Sequence, residues 1–134
     1  DIDKTDTVLE AGLGFAVALD KPGGFLGRDA VAAQKAAGPL RKRLVQVIVE
    51  DPEPLMYHAE IVHRDGQAVG YVRAASYGHT LGGAVGLAMV EADRPLDAAW
   101  LEAGHWEVEV ADRKWPARVS LAPLYDPANE KIRR

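Results

Sequence analysis

"SYGHTLGGAVGLAMV", residues 76–90, decides the fold of this chain, because Gly82, Gly83 and Gly86 admit two incompatible readings. As a nucleotide loop the stretch would open a helix of an α/β protein; as a strand corner it belongs to a β-barrel. A dinucleotide fingerprint needs G-x-G-x-x-G between a strand and a helix, and a Walker loop ends in Gly-Lys-Ser/Thr. Neither pattern is present, and Ala84 to Val90 reads as a strand. The three glycines are therefore expected to permit a bulge and a close strand approach at a barrel corner.

Working outward, the same alternation recurs. "RKRLVQVIVE" (41–50) has period two, with Leu44, Gln46, Ile48 and Glu50 on one parity and Val45, Val47 and Val49 on the other. "AEIVHRDGQAVGYVRAASY" (59–77) is a hairpin turning at Arg64-Asp65-Gly66, since Asp-Gly readily takes the positive φ of a tight turn. "HWEVEVADRKWPARVSL" (105–121) is a second, turning at Asp112 to Lys114, with Trp106 and Trp115 placed as a cross-strand pair. "DRPLDAAW" (93–100) reads as a link, with Trp100 capping an apolar patch.

At the start, "GLGFAVALD" (12–20) alternates Leu13, Phe15 and Val17 and predicts a first strand, closed by the turn residues of "DKPGG". "FLGRDAVAAQKAAGP" (25–39) predicts a short helix stopped by Gly38-Pro39. Its thin stripe of Leu26, Ala30, Ala33 and Ala37 suits a surface. The expected fold is mainly β: a small, jelly-roll-like antiparallel barrel of about six strands with one short N-terminal helix, forming a single domain over residues 1–134. The opening "DIDKTDTVLEAG" lacks an initiator Met and reads as the start of a fragment of a longer chain.

Composition narrows the function. The 134 residues are 48% hydrophobic and 27% charged with a net charge of −4, a globular balance without the basic footprint of a nucleic-acid binder. Lys and Arg cluster only at Arg41-Lys42-Arg43 and at the C-terminus. No apolar run approaches the roughly 18 residues that span a bilayer. The absence of cysteine fits a reducing compartment, and the cytoplasm is the expected location.

The histidines, His58, His63, His79 and His105, lack the spacing of a metal site. His58, His63 and His105 border turns and are expected to be solvated. His79 stands out, because it follows Tyr77 on the loop between two strands, where functional side chains tend to be displayed. Glu91 with Asp93, and Glu107 with Glu109, are i,i+2 pairs expected on solvated strand faces. No G-x-S-x-G elbow is present, so no catalytic residue is assigned.

Four colinear stretches carry a resemblance: "LEAGLGFAVALDKPGGFLGRDAV" (9–31), "RKRLVQVIVE" (41–50), "GQAVGYVRAASYGHTLGGAVGLAMVEADRP" (66–95) and "PARVSLAPLYDPANEKIR" (116–133). Together they resemble the C-terminal barrel of the glycine cleavage T-protein, or aminomethyltransferase, family. Tyr-Gly-His in place of the family's Phe-Ser-Pro, with the Leu-Tyr-Asp-Pro tail, leans toward the C-terminal end of dimethylglycine and sarcosine dehydrogenases or oxidases. The resemblance implies a parent protein that passes a one-carbon unit to tetrahydrofolate, with FAD possible in a preceding domain. It also implies that this barrel closes the folate channel against upstream folate-binding domains of the same chain.

The family's Gly-Tyr-Thr-Gly-Glu and Ala-Arg-Asp-x-Leu-Arg motifs are absent, so the resemblance gives this chain no catalytic role by itself. Tyr77, His79, Tyr125 and Arg133, on loop or tail positions, are the residues expected to face folate. The alternative is a scaffold barrel that docks on another subunit without folate chemistry.

Overall fold

The structure, a computed structural model, describes residues 2–131 and 133. Six strands, β1 (Lys42–Val49), β2 (Ile61–Arg64), β3 (Gln67–Gly78), β4 (Gly83–Glu91), β5 (Trp106–Val110) and β6 (Arg113–Ser120), close into an antiparallel barrel in the order β1-β4-β3-β2-β5-β6. The ring closes because β1 bonds β4 along one side and β6 along the other. The first hairpin turns at Asp65-Gly66 as expected, while the second turns at Ala111-Asp112, ahead of the expected Asp112 to Lys114, with all four residues at positive φ and Lys114 paired in β6 opposite Glu109.

The period-two pattern decides which side chains fill the ring. Val45, Val47, Val49, Val62, Val72, Val90 and Val108 are completely buried, and each contributes about 1.5–3 kcal/mol relative to exposure. Trp106 and Trp115 join the same cluster. Their register differs from a direct pair: Trp106 lies opposite Ala117 and Trp115 opposite Val108, so each indole fills space beside a smaller neighbour. Trp100 instead meets Trp106 edge-on, with ring centroids 5.5 Å apart.

Bulges shape the barrel walls. One between Val72 and Ala74 displaces Arg73 from the β3–β4 ladder, and another lies between Val62 and His63. At the β3–β4 corner, Gly82 takes φ +76°, and a Cβ on Gly83 would lie 2.5 Å from the Val49 carbonyl oxygen. The glycine-rich stretch is thus a strand corner where backbones approach closely.

Three expectations change. Residues 12–20 form no strand: a 3-10 turn at Gly14–Ala16 occupies them, with Gly12 at φ +74°. These residues pair with none of the six strands, and Phe15, the centre of the alternation, is 88% exposed. The helix α1 (Arg28–Ala36) begins after Leu26, which is fully exposed, and its half-buried side carries Val31 and Gln34 rather than the alanine stripe. The supposed link contains a second helix, α2 (Ala98–Ala103). The Asp97 carboxylate accepts from the Trp100 N–H at 2.7 Å, Leu101 is buried beneath, and the Trp106 Nε1–H donates to the Leu101 carbonyl at 2.8 Å.

Replacing Gly83 by Ala forces the Val49 strand to move, and a loss of about 1–3 kcal/mol is expected. Gly38→Ala, at φ +97° but facing open space, is expected to lose about 1 kcal/mol. Urea denaturation of both variants checks the ordering.

Candidate functional site

Buried valines fill the barrel among the described residues, which directs attention to its rim and outer face. The rim at the β3–β4 corner carries two of the four residues singled out by sequence. Tyr77, half-buried opposite Ala84, and the exposed His79 meet edge-on with ring centroids 5.1 Å apart. The Leu81 and Gly82 N–H groups both donate to the Gly78 carbonyl, at 3.0 and 2.7 Å, which fixes the loop that presents His79.

The C-terminal tail carries the other two. Tyr125 is 46% exposed and holds Lys131, whose Nζ donates to the phenol oxygen at 2.9 Å and lies 4.6 Å from the ring centroid. Asp126 shapes this turn, its carboxylate accepting from the Glu130 and Lys131 N–H groups at 2.9 and 3.0 Å. Arg133 is exposed at the end of the tail. The structure therefore brings Tyr77 to His79 and sets Tyr125 on Lys131, while no hydrogen bond, ion pair or ring contact among the described residues joins the two groups. Among the described residues no three His, Cys, Asp or Glu side chains gather as a metal site.

Sequence reasoning missed three polar clusters. At one end of the barrel the Arg64 guanidinium stacks 4.2 Å from the Trp100 ring and donates to the Trp100 carbonyl at 2.9 Å, pinning α2. The Asp-x-x-Trp start and following Gly104 were the signal for that helix. His63, expected in solvent, is 8% exposed and paired through Nε2 with Glu109 at 2.8 Å, because β2 and β5 set these side chains on adjoining outer positions.

The third cluster locks the N-terminal arm to the outer wall. The covered carboxylate of Asp6 lies 2.7 Å from Lys42 Nζ on β1 and 3.4 Å from Arg73 Nη1 on the β3 bulge. The Leu44 N–H donates to the Glu10 carbonyl at 2.7 Å, continuing the contact. The Lys42 ammonium, then the Asp3 N–H, hold the Asp6 carboxyl below its ordinary 3.8 against the opposing effect of burial, with Arg73 adding to the pull. The bond to Asp6 raises Lys42 above its ordinary 10.5.

Comparison with known proteins agrees with the barrel. The profile of the glycine cleavage T-protein C-terminal barrel domain matches residues 42–126. The chain is 44% identical over 133 residues to 4-methylaminobutanoate oxidase (formaldehyde-forming) of Paenarthrobacter nicotinovorans, covering 99% of this chain and 15% of that protein. It is 34% identical to human mitochondrial sarcosine dehydrogenase, covering 99% and 14%. An aminomethyltransferase of Shouchella clausii is 37% identical, over 93% of this chain and 32% of its own length. The chain thus spans between about a seventh and a third of these curated relatives. Among solved structures, the glycine cleavage system aminomethyltransferase T of Bartonella henselae superposes with a TM-score of 0.68 at 21% identity. The match covers 87% of this chain and 31% of that one, and shows the shared fold.

The arm lock gives stability a defined pH dependence. Asp6, with its folded value depressed, contributes fully above 3.8 and loses its contribution as pH falls through that lower folded value. Lys42, with its folded value raised, contributes fully below 10.5 and loses it as pH rises through the folded value above. Asp6→Asn is expected to lower the denaturation midpoint at neutral pH and to flatten the acid limb below 3.8. A series of denaturation curves against pH checks both signs.

Proposed function

The chain belongs to the glycine cleavage T-protein C-terminal barrel domain family, and from that premise we propose that it is the channel-closing wall of a folate-dependent aminomethyltransferase-like protein. Its parent is an FAD-dependent oxidoreductase that oxidises a small N-methylated amino acid and passes the one-carbon unit to tetrahydrofolate. The observation that carries the oxidoreductase part is the match, over 99% of this chain and about a seventh of each relative, to an oxidase and a dehydrogenase named for N-methylated amino acids. The aminomethyltransferase relative supports the one-carbon part. Its working partners are the upstream folate-binding domains of the same chain. The cytoplasm is the compartment we assign, since a chain without cysteine needs no oxidising one.

The residues present fit one side of a folate site. The Tyr77–His79 ring pair and the exposed Tyr125 ring offer faces to a flat heterocycle, and the exposed Arg133 offers a cation to a carboxylate. Bound tetrahydrofolate supplies the nitrogen atoms that accept the one-carbon unit. This chain's part is to orient the cofactor and exclude water, with no catalytic residue assigned to it. The barrel does not fit FAD, having neither a dinucleotide fingerprint nor an α/β switch point, so the flavin belongs to another part of the parent protein.

Calorimetry on the full-length polypeptide that carries this barrel tests the reading. Tyr77→Ala, His79→Ala, Tyr125→Ala and Arg133→Ala are each expected to weaken tetrahydrofolate binding about three- to tenfold. Flavin reduction by the amine is expected to stay unchanged in each variant. A full-length protein that binds no tetrahydrofolate would replace this reading with that of a scaffold barrel docked on another subunit.

A further inference from the structure

Strand register sets a continuous row of side chains around the outside of the barrel. Leu44 on β1 lies opposite Met89 on β4, Met89 opposite Tyr71 on β3, Tyr71 opposite Ile61 on β2, and Ile61 opposite Glu109 on β5. The interior takes Val45, Val90, Val72, Val62 and Val108 from the alternate positions, so this row points outward. Apart from Glu109 it is large and apolar, where an outer wall facing water is ordinarily polar.

Only part of the row is covered. Met89 is 4% exposed although it stands outside the interior cluster, and beside it the Leu44 N–H takes the Glu10 carbonyl of the N-terminal arm, whose Ala11 is buried in turn. Tyr71 and Ile61, side by side on the next two strands, are 45% and 41% exposed. The charges flanking this pair are already engaged, Arg73 with Asp6 and Glu109 with His63. What is left open is therefore apolar surface.

The leading end of the arm lies at the boundary. The Asp3 N–H donates to Asp6 Oδ2 at 2.7 Å, the same oxygen lies 3.4 Å from Arg73 Nη1, and the Arg73 guanidinium sits 4.8 Å from the centre of the Tyr71 ring. This series of contacts ties the start of the arm to Tyr71, so polypeptide preceding residue 1 enters beside the uncovered pair. The relatives carry far more chain than this one, which spans 15% of the oxidase and 32% of an aminomethyltransferase.

We propose that the outer face of β2 and β3 at Ile61 and Tyr71 is the docking surface for the segment of the parent polypeptide that immediately precedes this chain. That segment continues the cover begun by the arm, laying apolar side chains over Tyr71 and Ile61 as the arm does over Leu44 and Met89. Because it is tethered at the boundary, its effective concentration is high and a small patch is enough to hold it. The inference rests on the reading of this barrel as part of a longer polypeptide, and not on its folate chemistry.

Photo-crosslinking in the full-length polypeptide that carries this barrel tests it, with p-benzoylphenylalanine in place of Tyr71 in one variant and of Ile61 in another. Adducts are expected within the same molecule, on peptides holding the roughly ten residues before residue 1, whose extended reach of about 33 Å spans the face. Tyr71→Ser and Ile61→Ser are each expected to accelerate hydrogen exchange of that segment about tenfold. Lys114→Ser, on the opposite wall, is expected to leave it unchanged. Adducts on a second copy, on a separate subunit or on a remote part of the chain overturn the proposal, as does the lack of any protein adduct from both positions. So does a natural polypeptide that begins at residue 1, or unchanged exchange in both serine variants. A polypeptide that gives the expected adducts and binds no tetrahydrofolate loses the folate reading and keeps this one.

Discussion

Ring closure at β1 is the constraint on which the other features depend. Because β1 bonds β4 along its length and β6 through Gln46–Val49, little strand edge is left for a further segment to join, and at Leu44 that edge takes the Glu10 carbonyl of the arm. Six short strands around completely buried valines also leave no room inside for a ligand. The N-terminal arm therefore attaches by side chains and single backbone bonds on the outer wall, with the Asp6 carboxylate between Lys42 and Arg73 as its anchor. Polar side chains therefore lie outside the valine interior, on the outer wall, corners, tail and arm.

The strands were legible because both their faces obey period two and their turns carry Asp and Gly at positive φ. The same rule misled at residues 12–20, where alternation exists without a neighbour to pair with. Alternation describes a face, and a strand also needs an edge. The helix α2 was hidden because six residues are too few to show periodicity; only its Asp97 cap and the following Gly104 mark it. His63 was misplaced because proximity to a turn says nothing of what the next strand brings over it, here Glu109 from 46 residues away.

The candidate site was legible in proportion to its locality. Tyr77 and His79 are two residues apart on a tight corner, so their contact follows from the turn. The run Arg41-Lys42-Arg43 shows the opposite case. Read along the chain it is one basic cluster, yet strand alternation separates its members: Arg41 stays exposed, Lys42 turns outward to Asp6, and the half-buried Arg43 shares the parity of the buried Val45 and Val47. Charge counted along a strand averages over two faces that never share an environment.

A wall of this kind explains why one barrel accompanies parents of very different size. Its stability comes from contacts within the ring, and the features outside it include a glycine-built corner, a self-capped tail and an arm anchored by the Asp6 carboxylate. The tail turn can change without disturbing the valine interior, since it contributes no side chain to it, whereas the corner is held to glycine by the nearby Val49 carbonyl. Similarity to an oxidase of which the chain spans 15%, and to an aminomethyltransferase of which it spans 32%, is what such a division predicts. The ring preserves the fold across these relatives, and a shared fold does not by itself fix a shared chemistry.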